Sequence, residues 1–93
     1  MDNDKIIITV SGADKVGIVA KVATMLAENN VNIEDIKQTL MQGHFVMFML
    51  CSIAQSDKSL IELQTVLKDG CNKMGMEVWV QRKEIFDNMH SIN

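Results

Sequence analysis

Asp14-Lys15-Val16-Gly17-Ile18-Val19 joins two segments of different period, and reading it as a strand-to-helix turn decides the fold. Before it, Ile6, Ile7, Ile8, Thr9 and Val10 form a β-branched run with the composition of a buried strand. After it, Ile18, Val19, Val22, Ala23 and Leu26 recur with the spacing of an amphipathic helix. The first backbone N–H groups of a helix have no partner within it, so here they face whatever fills the turn. A carboxylate or other anion suits that position.

Working outward, residues 5–11 read as a strand with Ile6, Ile8 and Val10 on one face and Ile7 and Thr9 on the other. The helix is expected from about Val16 or Gly17 to Glu28, with Asp14 placed as an N-cap or first-turn acid and Asn29-Asn30 as the stop. Val31 to Thr39 reads as a second strand, irregular near Asp35 and at a sheet edge, where its charges discourage unwanted pairing. Gln42-Gly43-His44 is a turn, and the apolar stretch Phe45 to Ile53 a third, central strand. Ser56-Asp57-Lys58-Ser59 opens a second helix with Leu60, Leu63, Leu67, Cys71 and Met74 on its core face; Gly75 closes it, and Met76 to Arg82 alternates as a fourth strand.

The order β-α-β-β-α-β predicts an α+β, ferredoxin-like sandwich: a four-stranded antiparallel sheet with two helices on one face. Residues 1–93 are expected to form a single domain, with its core at about 4–83 and a C-terminal tail at 84–93. The sheet face away from the helices carries Ile7 and Trp79 and needs a cover. Two covers present themselves: a second copy, and the tail, where Ile85, Met89 and Ile92 fall on one helical stripe with Phe86 alongside. A frayed end fits the tail's position, while its apolar content favours a docked helical turn.

Ninety-three residues hold one core but no deep enclosed active site. The net charge of −3 leaves no basic surplus for phosphates, so neither nucleic acid nor an anionic membrane is the expected partner. No apolar run is long enough for a span, and Met-Asp-Asn-Asp-Lys has the wrong polarity for a signal peptide, so the expected compartment is the cytoplasm. Cys51 and Cys71 lack CxxC spacing and read as small buried side chains; His44 and His90 read as surface or turn residues. No metal and no cofactor is expected.

Gly12 to Gly17 has the GxxxxG spacing of a phosphate-binding loop, but Ile18-Val19 stand where Lys and Ser/Thr are required. The strand order is shared with RNA-recognition domains, and Phe45-Val46-Met47-Phe48 matches half of their third-strand signature. Met41, Gln42, Gly43 and His44 break the other half, and the first strand offers no stacking aromatic. RNA binding therefore stays a minor alternative. No nucleophile with a base, carboxylate pair or metal cluster assembles, and the chain reads as a binding protein rather than an enzyme.

A small amino acid needs an anion site, an acceptor for its ammonium and an oriented amide. The Asp14 to Val19 loop offers the first two, and Asn32 is read as beginning a strand that returns beside the loop. Plainer roles fit too: Asp14 as a helix cap, Gly17 for close packing, Asn32 at a strand end. Asp14-Lys-Val-Gly-Ile-Val-Ala-Lys-Val-Ala, followed by Leu26-Ala-Glu-Asn-Asn-Val-Asn-Ile33, resembles the ACT domain, a regulatory module of amino-acid metabolism. The ending Ile85-Phe86-Asp87-Asn88-Met89-His90 is similar to that of small bacterial stand-alone ACT proteins.

The resemblance implies a homodimeric βαββαβ sandwich binding a small ligand, commonly an amino acid, at an interface near the first strand-to-helix loop. By position, the ligand residues would be Asp14, Val16, Gly17, Ile18 and Val19, with Asn32 and Ile33 from the second strand. Val16 replaces the family's frequent proline, which leaves a less rigid turn and one additional N–H. With no other domain attached, regulation would act through a partner enzyme or regulator. The alternative from another class is a purely structural interaction module that docks through its open sheet face or its tail.

Overall fold

The computed structural model describes residues 4–89. Seven elements follow one another: β1 (Lys5–Ala13), α1 (Ile18–Glu28), β2 (Asn32–Met41), β3 (His44–Ser52), α2 (Leu60–Lys73), β4 (Glu77–Arg82) and α3 (Lys83–Met89). The sheet order is β2-β3-β1-β4, antiparallel throughout, as the sequence pattern predicts for a ferredoxin-like fold. The central strands are β3 and β1, and each carries the strongest alternation of buried side chains.

The core lies between the sheet and the two long helices. Ile6, Ile8 and Val10 of β1 and Met47, Met49 and Cys51 of β3 are fully buried on that face. Ile18, Val22 and Leu26 meet them from α1, and Leu63, Leu67 and Cys71 from α2. Each trio repeats every fourth residue, which places it along one helix stripe. Both cysteines are buried and free, and burial raises both thiols' pKa, that of Cys51 to about 12.

Local signals set most element ends. Ser59 caps α2 in a reciprocal box: its side chain accepts from the Glu62 N–H at 3.2 Å, and its own N–H donates to the Glu62 carboxylate at 2.8 Å. Asn30 takes φ 57° after α1, and Gln42 and Gly43 take φ 51° and 82° between β2 and β3. Two successive positive φ values give a two-residue turn whose twist matches the strands it joins. β2 carries an irregularity between Ile33 and Asp35, in the region where its apolar alternation fails.

The tail beyond β4 is helical as far as it is described. α3 lies on the sheet face opposite α1 and α2, with the Phe86 and Phe48 rings edge-to-face at 6.1 Å. Ile7, the outward residue of β1, is 9% exposed, whereas Phe48 and Trp79 remain 39% and 50% exposed. His90 and Ile92, assigned to a turn histidine and the helical stripe, lie outside the described residues, and the stripe is seen only through Ile85 and Phe86.

Candidate functional site

Gly17 sits at the N-cap of α1 with φ 86° and ψ 5°, in the left-handed region. This backbone turns the chain from the end of β1 into the helix, and a glycine adopts it without the steric penalty of a Cβ. No side chain caps the helix. The first internal bond runs from the Lys21 N–H to the Gly17 carbonyl at 2.9 Å. The N–H groups of Ile18, Val19 and Ala20 precede it and have no acceptor inside the helix. Ile18 is buried and Val19 packs against the core, so the first turn is anchored by its apolar side chains while its backbone end faces the loop.

Asp14 was expected to cap this helix, and it does not. β1 runs two residues beyond its predicted end, so Asp14 falls just after the strand and three residues before the N-cap. Its N–H donates to the Gly43 carbonyl at 3.0 Å, which ties the loop to the β2–β3 turn, and its side chain is exposed. The neighbouring Lys15 ammonium donates to the Met74 carbonyl at 2.9 Å, at the C-terminal end of α2. A cation there complements the helix dipole and fixes the loop from its other side. Nothing near Lys15 in sequence points to a partner 59 positions away.

Val16 is fully exposed at the tip of this loop. Ser11 and His44, at the adjoining ends of β1 and β3, are joined through Oγ and Nε2 at 2.9 Å. Asp14, Val16 and Gly17 thus lie exposed around an open helix end, while Ile18 and Val19 turn their side chains into or against the core beneath it. The loop is held by a backbone bond to the β2–β3 turn and by the Lys15 side chain's bond to the end of α2, and the open N–H groups of the helix end suit an anionic group.

Asn32 and Ile33 are not part of that surface within one chain. β1 and β2 both run antiparallel to β3, hence parallel to each other. Asn32 pairs with Ser52, which pairs with Lys5 at the start of β1, whereas the loop leaves from Ala13 at the other end. Eight strand steps separate the two levels, about 26 Å. The expectation that β2 returns beside the loop is corrected: α1 carries the chain back to the far end of the sheet before β2 begins.

Among the described residues no helix is long and apolar enough to cross a membrane, and no group of three or more His, Cys, Asp or Glu side chains is placed to hold a metal ion. The fold and this site define a ferredoxin-like α+β domain with a small, open loop site in place of an enclosed cleft. The chain belongs to the ACT domain family, whose model matches residues 4–81. Membership places it among regulatory domains.

A UPF0237 protein of Listeria innocua is 44% identical over 86 residues, covering 92% of this chain and 97% of that protein. One from the archaeon Methanosarcina acetivorans is 44% identical over 92 residues, covering 99% and 100%. Stand-alone domains of this kind therefore occur in archaea as well, and the expected bacterial type is too narrow. An ACT domain protein from Streptococcus pneumoniae superposes with a TM-score of 0.78 at 31% identity, covering 96% of this chain and 97% of that one. The regulatory subunit of aspartate kinase from Thermus thermophilus does so at 0.66 and 25% identity, covering 86% of this chain and 52% of that one.

Proposed function

We propose that this chain is a cytoplasmic amino-acid sensor without chemistry of its own, whose ligand site is completed by a second copy and whose output is read by another protein. The observation that carries the reading is the open N-terminus of α1: Gly17 caps it without a side chain, beside the exposed Asp14 carboxylate. A ligand carboxylate on the N–H groups of the first turn and its ammonium near Asp14 would hold a free amino acid by the groups common to all of them. Val16 leaves the loop free to adjust around the side chain.

The oriented amide has to come from elsewhere, because Asn32 lies at the far end of its own sheet. Pairing β2 with β2 of a second copy supplies it. A two-fold axis normal to the sheet keeps all the long helices on one side, so residues that face each other must share a sheet face. Centring the pair on Ile36 sets Asp35 opposite Lys37 of the second copy, twice over. Shifting the centre to Asp35 or to Lys37 sets like charges against each other, so the same charges that discourage indiscriminate pairing admit this register.

Beyond the irregularity at Glu34, the Asn32 end of each strand then lies alongside the Thr39 to Met41 end of the other, the end of the sheet that carries the loop. Ile36, Leu40 and Met41, exposed at 37%, 58% and 70% in the single chain, gain a cover. A ligand bridging the loop of one copy and Asn32 of the other favours one quaternary arrangement by contacts that exist only there.

The test is a thermal-shift screen of the purified protein against the twenty amino acids, since a ligand that binds only the folded form raises the melting temperature. One or two amino acids are expected to raise it, and Gly17→Asp or Asn32→Ala to abolish the rise. A flat screen, or a rise retained in Gly17→Asp, would remove the amino-acid reading.

A further inference from the structure

We draw no further inference here: the strongest candidate, the apolar hollow between α3 and the sheet face opposite α1 and α2, lined by Ile7, Phe48, Leu50 and Phe86, is an unpartnered apolar face, and nothing in the structure shows what covers it.

Discussion

Gly17 holds a left-handed backbone with no atom within 4 Å of where a Cβ would stand, so a side chain there meets torsional strain and no clash. Gly17→Ala is expected to destabilise the fold by about 1–2 kcal/mol in urea denaturation, and Gly17→Asn by less, since asparagine tolerates this region better. Cys51 shows a different residue-scale effect. Burial raises its thiol to about 12 from an ordinary 9.0, and the nearby Glu34 carboxylate adds to the rise. The folded chain keeps this proton at a pH where the unfolded chain has released it, so stability should fall as pH rises beyond 9.0. At neutral pH a thiol reagent should label Cys51 only as fast as the chain opens, which labelling rates at increasing urea would check. Both effects follow from one side chain and its surroundings; the burial of Cys51 was legible in its apolar run, whereas its neighbour Glu34 needed the sheet around it.

At the scale of an element, α2 and α1 begin in opposite ways. α2 has a local box, and the backbone and side-chain hydrogen bonds from Ser59 hold the Glu62 carboxyl below its ordinary value. A depressed acid contributes stability that is present above 4.5 and is lost as pH falls through the folded value. Glu62→Gln keeps both hydrogen bonds of the box and should flatten the acid limb of the stability curve below pH 4.5, whereas Ser59→Ala should cost about 1 kcal/mol at neutral pH. Urea titrations at several pH values separate the two. Ser59 and Glu62 stand three residues apart, so the start of α2 was readable in the chain. The start of α1 was placed within about a residue, but its cap was misread as Asp14 because β1 runs on through Gly12 and Ala13, paired with Phe45 and His44 of β3.

At the scale of the whole molecule, β2 has almost no cover of its own. Nine of its ten residues are exposed, including Ile36, Leu40 and Met41. The proposed pairing predicts that Lys37→Asp, which faces Asp35 with another acid, shifts the protein toward monomer in sedimentation velocity. Asp35→Lys combined with Lys37→Asp restores opposite charges in the same register and should return the dimer. Recovery by the double variant is the telling result, because a merely damaged strand would not regain its partner from a second substitution. Raised salt should weaken the pairing only modestly, since exposed cross-strand ion pairs are worth a few tenths to about 1 kcal/mol each.

Signals that act over a few residues were settled by the sequence alone: strand alternation, the helical repeats, the capping residues Ser56 to Ser59, the Gln42-Gly43 turn and the irregular Asp35 region. The ACT resemblance also rested on contiguous residues around Gly17 and Asn32. Tertiary structure decided what depends on strand order and chain direction. Because β1 and β2 run parallel on either side of β3, Asn32 lies a strand's length from the loop it was assigned to. Lys15 finds Met74, and Gln64 finds Val80, only once the sheet is assembled with α2 across it. Local propensity fixes each element's form, but the partners of its ends and edges are chosen by packing between segments far apart in the chain.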